Sequence, residues 1–248
     1  MQTFKQHKIE WSLDKIQRFW NWYHSNEAMS DQMFEFQVSS NIIEFVKQNI
    51  KLEGKVLNYG GGQGFLVKEL LNNDNLDEVS ACDYSNNSIS ILNDKFSKNS
   101  KFKYNVQLSE LPSKLPSDSF DIVFFLETVE HLTDDELFST LNEIRRVIKN
   151  NGYLICSTRN NEILEKNHIM CPDCGCVFHR VQHIRSFTSD SLSEIIGKVG
   201  FNTHFCNAVN LQSFKEKSYL NLIRKIKRSI LNQVTEKNNL MFIGQMNK

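Results

Sequence analysis

The stretch FDIVFFLE, residues 120–127, is almost wholly apolar. A strand with one wet face alternates apolar and polar residues, whereas an unbroken apolar run marks a strand buried on both faces at the centre of a parallel sheet. Parallel strands need long crossover connections, usually helices, and the flanking sequence supplies them. KVLNY (55–59), EVSACD (78–83), FKYNV (102–106), YLICST (153–158), FNTHFC (201–206) and NLMFIGQ (239–245) read as further strands. FLVKELL (65–71) opens a helix, and NSISILNDKF (87–96), TDDELFSTLNEIRRVIK (133–149) and residues 190–199 read as helices. The third has Thr133 or Asp134 as a cap, acids in its first turn, basic residues in its last, and Leu137, Leu141, Ile144 and Ile148 at helical spacing. Alternating strand and helix predicts an α/β, doubly wound Rossmann-like fold with a seven-stranded sheet.

Residues 1–50 carry helical patterns ahead of the first strand and are expected to form a helical N-terminal cap; 51–248 form the main domain. The polar segment 159–187 breaks the alternation and reads as an insertion or long active-site loop. Lys plus Arg, 29, equal Asp plus Glu, 29, so no global field favours nucleic acid or a membrane surface. No run of about eighteen apolar residues exists, and the polar N-terminus lacks an apolar signal core. Of the six cysteines, Cys171, Cys174 and Cys176 cluster, while Cys82, Cys156 and Cys206 lie singly in apolar runs. That is no disulfide framework, and a reducing cytoplasm is expected.

NYGGGQGF (58–65) joins the first strand to the first helix. Gly60, Gly62 and Gly64 permit a tight turn and close approach of a ligand, at the crevice where doubly wound sheets bind nucleotides. The G-x-G-x-G spacing is neither a dinucleotide fingerprint nor a P-loop, which points to an adenosyl group without pyrophosphate. Asp83 ends the second strand, where an acid can accept both ribose hydroxyls. A plain structural turn beside an ordinary surface Asp is the bland alternative. With these motifs, residues 40–205 resemble the class I S-adenosylmethionine (SAM)-dependent methyltransferases. VLNYGGGQG is similar to their first motif, ACDYS to their second, and LSELPSKLPSDSFDIVFFLETVEHL and RRVIKNNGYLICST to later ones. The resemblance implies that Gly60, Gly62 and Gly64 hold the methionine end and Asp83 the ribose, with Tyr84 beside it, while Gln107 and Leu108 meet adenine. Asn58 stands where the family usually has an acid, and Gln107 where an acid often meets the adenine amino group. Both departures remove negative charge around a cationic cofactor.

ETVEHL (127–132) follows the central strand at the carboxyl edge of the sheet. Glu127, Glu130 and His131 make a mixed oxygen and nitrogen donor set suited to Mg, Mn, Fe or Zn. In the alternative reading Glu127 faces the cofactor, Glu130 starts a helix and His131 caps the strand. HIRSFT (183–188) adds a histidine after the next strand. The pair resembles the metal-dependent branch of the superfamily, with an E-x-x-E-H motif and a downstream histidine. It includes small-RNA 3′-terminal 2′-O-methyltransferases and some ubiquinone-pathway O-methyltransferases. The resemblance implies a catalytic divalent metal on Glu127, Glu130, His131 and His183. Without a metal, His131 or His183 would be the general base.

CPDCGCVFHRVQH (171–183) holds three cysteines and two histidines. Cys171-x-x-Cys174 is half of a zinc site, with Cys176 and His179 as nearest further ligands, or His168 from outside. One combined site on Cys171, Cys174, His179 and His183 and unligated thiols are the alternatives. Arg180 and Arg185 flank His183 and are candidates for an anionic acceptor. FWNWYHS (19–25) could line a pocket or pack as a cap. A basic helix is expected over 211–233, its Arg224, Lys225, Lys227 and Arg228 either a solvated face or a phosphate contact. Together these imply O-methylation of a small, phosphate-bearing or hydroxyl acceptor. A CPxCG…FHR loop resembles that of methyltransferases acting on envelope or capsule saccharide precursors. RNA 2′-O-methylation and a non-catalytic zinc-containing binding protein on the same scaffold are the alternatives.

Overall fold

The computed structural model describes residues 5–26, 34–211 and 238–248. The expected basic helix over 211–233 lies almost wholly outside them. The main sheet contains β2 (Gly54–Tyr59), β3 (Leu76–Asp83), β4 (Phe102–Gln107), β5 (Phe120–Leu126), β6 (Ile148–Arg159), β9 (Phe201–Val209) and β10 (Asn239–Met246), in the order β4-β3-β2-β5-β6-β10-β9. The first five strands are parallel, and β10 runs antiparallel to both β6 and β9. Order reverses between β2 and β5, so a crevice opens beyond their carboxyl ends.

The unbroken apolar run of β5 serves two layers. Val123 and Phe125 pack with Leu137, Leu141 and Ile144 of α5 (Asp134–Val147) and Leu192 and Ile196 of α6 (Ser189–Gly197). Ile122 and Phe124 face the other way, toward Ile42, Phe45 and Val46 of α2 (Phe34–Asn49) and Leu66, Val67 and Leu70 of α3 (Phe65–Leu71). Alternate side chains of a strand point to opposite faces, so only a run apolar at every position satisfies both. Helix α4 (Asn86–Phe96) completes that second layer through Leu92.

Helix α5 starts at a Thr133 cap, whose backbone N–H donates to Glu136 Oε2 at 3.0 Å. It ends at Val147, earlier than its periodicity predicts. Ile148 already pairs with Phe120 of β5, and Asn151, at φ 63°, bends the long strand instead of stopping the helix.

The N-terminal segment is not purely helical. α1 (Leu13–Ser25) and α2 follow a short strand, β1 (His7–Lys8), which pairs parallel with β8 (Cys176–His179). β8 forms a hairpin with β7 (His168–Met170), so the insertion and the N-terminus share a second, three-stranded sheet. α1 crosses the end of the main sheet. Gln17 Nε2 donates to the Tyr84 carbonyl at 2.9 Å, Ser85 Oγ to Asn21 Oδ1 at 2.7 Å, and His24 Nδ1 lies 2.7 Å from Ser88 Oγ. These contacts tie α1 to the β3–α4 turn, over the crevice.

Candidate active site

The glycine turn is built for close approach. Gly60 and Gly62 adopt φ of 88° and 50°, a region that side chains disfavour. A Cβ on Gly60 would stand 2.8 Å from Thr128 Oγ1. Gly62 N donates to Asp83 Oδ2 at 2.9 Å and Ser85 N to Asp83 Oδ1 at 2.7 Å, which fixes the carboxylate at the strand end. Two bonds leave it further lone-pair sites for a ligand's hydroxyls. Gly60, Gly62, Asp83 and Tyr84 all line one crevice, whose wall α1 completes with Trp20, Tyr23 and His24. The glycine turn, the strand-end acid and α1 therefore enclose one continuous crevice beyond the carboxyl ends of the strands, where doubly wound sheets bind their ligands. Gly64 caps α3, Asn58 is fully buried in β2, and Gln107 and Leu108 sit at the end of β4, outside the crevice lining. Leu108 N donates to the Asp83 carbonyl at 2.8 Å.

At the other end the same crevice is lined by Glu127, His131, Arg159 and His183. Glu127 follows the end of β5 with φ 43°, a strained conformation of the kind that clusters at functional sites. Its Oε1 accepts from Ser157 Oγ at 2.9 Å, and burial pushes its carboxyl up to about 7. Glu130 is buried behind it; no well-formed hydrogen bond reaches its side-chain oxygens, and only its own backbone N–H, Thr158 and the Glu127 carboxyl stand near enough to interact with them. Burial, then the Glu127 carboxyl, push Glu130 well above the usual carboxylate range. A buried carboxyl this weakly bonded is held as the neutral acid until a cation beside it favours the ionised form.

The two histidines present complementary atoms. His131 Nδ1 lies 3.3 Å from the Gln182 carbonyl, which assigns its proton to Nδ1 and frees Nε2. Burial, and then His183, lower it to about 3, so the ring is neutral. Gln182 is organised around it: its Nε2 donates to the His131 carbonyl at 2.8 Å, and its Oε1 accepts from Trp20 Nε1 at 2.8 Å. His183 Nδ1 meets Glu162 Oε2 at 2.5 Å, and its Nε2 faces Glu130 Oε1 at 3.8 Å. Burial lowers His183 too, against the pull of Glu162. Glu130, His131 and His183 each offer a ligand atom within 4.8 Å of the others. Two neutral imidazoles and a carboxylate, each imidazole anchored through its other nitrogen, fit a divalent ion by donor type and by their outer partners. Glu127, expected as a fourth ligand, is not in this group.

Glu162, in the loop after β6, stands at the centre of the histidine group and was not singled out in the sequence. Burial works against its ionised form, but His179, whose Nε2 lies 3.3 Å away, and His183, hydrogen-bonded to it, hold its carboxyl far below the usual range. Its signal was position alone: an acid three residues past a strand's carboxyl end.

His179 differs most from expectation. Its Nδ1 accepts from Val181 N at 3.3 Å and His183 N at 3.2 Å, so its proton is on Nε2, which faces Glu162 Oε1 at 3.3 Å. The ring stacks on His183, with centroids 4.5 Å apart. His179 therefore belongs to the inner histidine group and not to the cysteine knuckle. Among the described residues, no cysteine joins a three-ligand group, which leaves both the Cys171, Cys174, Cys176, His179 set and the combined set ungathered. The knuckle itself is a tight turn: Gly175 N donates to the Cys171 carbonyl at 2.9 Å and Cys171 N to the Cys176 carbonyl at 2.8 Å. Backbone N–H groups of Cys174 and Asp173 hold the Cys171 thiol below its ordinary range.

Neither predicted substrate arginine lines the crevice. Arg185 Nη2 donates to the Leu132 carbonyl at 2.5 Å and pairs with Asp134 at 2.9 Å. Arg180 is exposed, beyond Val181 at the rim. Arg159, at the end of β6, is the crevice's guanidinium.

A doubly wound sheet with β10 reversed, a glycine turn after β2 and an acid closing β3 defines a class I SAM-dependent methyltransferase. The chain belongs to the methyltransferase-domain family, whose model matches residues 29–204. No curated protein matches it in sequence. Among solved structures it is similar to a chain of the complex between the Haloferax volcanii Trm112 methyltransferase activator and a methyltransferase, at 14% identity and TM-score 0.63, covering 92% of this chain and 98% of that one. It is similar to Burkholderia thailandensis 1,6-didemethyltoxoflavin-N1-methyltransferase bound to 1,6-didemethyltoxoflavin and S-adenosylhomocysteine, at 14% identity, TM-score 0.61, covering 98% and 93%. A SAM-dependent methyltransferase from Aquifex aeolicus aligns at 16% identity, TM-score 0.57, over 96% and 100%. At such identities these likenesses establish the fold. Among the described residues, no helix is long and apolar enough to cross a membrane.

Proposed function

We propose that this protein transfers the SAM methyl group to an oxygen of a small anionic acceptor, assisted by a divalent ion on Glu130, His131 and His183. The observation that carries this reading is the grouping of a buried, weakly bonded Glu130 carboxyl with two neutral imidazoles whose Nδ1 atoms are already engaged. A divalent ion held there supplies Lewis acidity, lowering the pKa of an acceptor hydroxyl and fixing its oxygen.

The chain's own residues do the rest. The turn at Gly60 and Gly62 and the Asp83 carboxylate hold the cofactor at one end of the crevice. Trp20 and Tyr23 of α1 wall off water. Arg159 receives an acceptor's phosphate or carboxylate, as guanidinium groups do. Glu127, held by Ser157, is placed to take the hydroxyl proton. The acceptor oxygen attacks the sulfonium methyl, the C–S bond breaks, and S-adenosylhomocysteine leaves as a neutral thioether. Holding the two partners in line supplies much of the acceleration. A saccharide precursor bearing phosphate meets these requirements. RNA fits less well, because the chain carries no net charge.

The 2.5 Å contact between Glu162 and His183 supports a second reading, in which His183 is itself the general base and no ion takes part. One experiment separates them: a screen of hydroxyl and phosphate acceptors with methyl-labelled SAM, using wild type and His131→Ala, with and without chelator. The metal reading expects transfer to stop on chelation, to return with added Mn or Mg, and to be absent in His131→Ala. Undiminished transfer by stripped protein would sink it.

A further inference from the structure

Asn58 removes the acid expected at the end of β2, yet a carboxylate is still there. Glu35, in the first turn of α2, reaches the same point from another element: its Oε1 accepts from Asn58 Nδ2 at 3.4 Å and its Oε2 from Leu66 N, in the first turn of α3, at 3.5 Å. Glu35 lines the crevice beside Gly60 and Gly62. Both hydrogen bonds are long, so most of its acceptor capacity is unused. Among the described residues, no ion pair involves Glu35. A carboxylate aimed at the glycine turn with weak neutral donors is set to receive a cation.

We propose that Glu35 binds the α-ammonium of the cofactor's methionine end, restoring from α2 the charge that Asn58 withdraws from β2. This rests on the reading that the methionine end lies along the glycine turn. Burial pushes the Glu35 carboxyl up to about 8, against the Asn58 and Leu66 N–H groups, and the facing Asp83 carboxylate adds to the push. An ammonium seated beside it favours the ionised form, so cofactor binding near pH 7 releases a proton.

The test is calorimetric titration of wild type, Glu35→Gln and the double variant Glu35→Gln/Asn58→Asp. The ligands are SAM, S-adenosylhomocysteine and 5′-methylthioadenosine, which lacks the amino-acid end. Glu35→Gln should weaken SAM and S-adenosylhomocysteine alike, by about tenfold or more as expected for a lost charge-assisted bond, and leave methylthioadenosine unchanged. The double variant, with its acid moved back to β2, should recover to within a few-fold and so exclude a folding defect. Titration in two buffers of different ionisation enthalpy should show proton release in wild type and none in Glu35→Gln. SAM binding within twofold of wild type in Glu35→Gln overturns the proposal, as does loss confined to SAM, which would place Glu35 at the sulfonium. Failure of wild type to bind SAM sinks the cofactor reading itself and is a separate outcome.

Discussion

Glu162→Gln is the substitution that most directly probes how the inner histidines are held. The Glu162 carboxylate faces two rings and an amide: Oε2 lies 2.5 Å from His183 Nδ1, while Oε1 accepts from Asn167 Nδ2 at 2.9 Å and lies 3.3 Å from His179 Nε2. A glutamine keeps one oxygen and replaces the other by a donor. Turned one way, its NH₂ meets the N–H of His179, whose tautomer is fixed by the Val181 and His183 amides. Turned the other way, it demands the lone pair of His183 on Nδ1, which moves the proton to Nε2 and blocks the atom facing Glu130. Either arrangement weakens the proposed ion site. Loss of such an outer partner typically costs 10- to 100-fold in metal affinity, about 1.4–2.8 kcal/mol, and the lack of a neutral orientation puts Glu162→Gln in the upper half of that range. The assay is Mn or Co titration against a chromophoric chelator, alongside a thermal melt to confirm folding. A folded Glu162→Gln protein that holds the ion within twofold of wild type would refute the assignment of protons on both rings.

Glu143 is buried and accepts from Ser113 Oγ at 2.6 Å, Ser113 N at 3.1 Å and Arg146 at 2.7 and 2.9 Å. Burial opposes ionisation, but Arg146 and Ser113 outweigh it and lower the Glu143 pKa. Its stabilisation is therefore present above the unfolded carboxylate value and lost as pH falls through the folded one. Glu143→Gln should cost about 1.5 kcal/mol at pH 7, the low end for hydrogen bonds to a charged group because Arg146 is partly exposed, or roughly 3–6 °C in Tm for a chain of this size. The deficit should shrink below about pH 4; a gap that stays constant from pH 7 to pH 3 would contradict the ionised assignment. Cys174→Ser should leave the ion at the histidine group in place, because that group contains no cysteine, while His183→Ala should remove it. Elemental analysis that shows both variants losing the same single equivalent would refute a cysteine-free ion site.

The fold was legible because its signals are local. FDIVFFL had to be a doubly buried strand, and its alternate residues do divide between the two helical layers. The start of β6 was not legible: Asn151-Gly152 reads as a helix stop until Ile148 is seen to pair with Phe120. The positions of Glu130, His131 and His183 could be read because E-x-x-E-H and the later histidine carry recognisable spacing. Glu35, Glu162 and Gln182 act across the chain, on Asn58, His183 and Trp20, and nothing in their neighbourhood marks them. Arg180 and Arg185 were chosen for closeness in sequence to His183. In an extended segment successive side chains diverge, and Arg185 turns to Leu132 and Asp134 while Arg159, on another strand, reaches the crevice.

The charge arrangement also accounts for how a neutral chain selects cationic ligands. With 29 basic and 29 acidic residues there is no long-range field to steer them. Carboxylates gather instead inside the crevice and behind it: Glu35 and Asp83 at the glycine turn, Glu127 and Glu130 at the acceptor end. Burial pushes Glu35, Glu127 and Glu130 toward their neutral forms, so an unliganded crevice does not bear the full cost of unpaired charge. In the proposed reading the sulfonium, the methionine ammonium and a divalent ion each reverse that balance at a different place. Selectivity for the charged cofactor over its adenosyl fragment then arises from short-range pairing inside a low-dielectric crevice, which salt screens weakly. Raising ionic strength should therefore change SAM affinity little, in contrast to ligands held by surface charge.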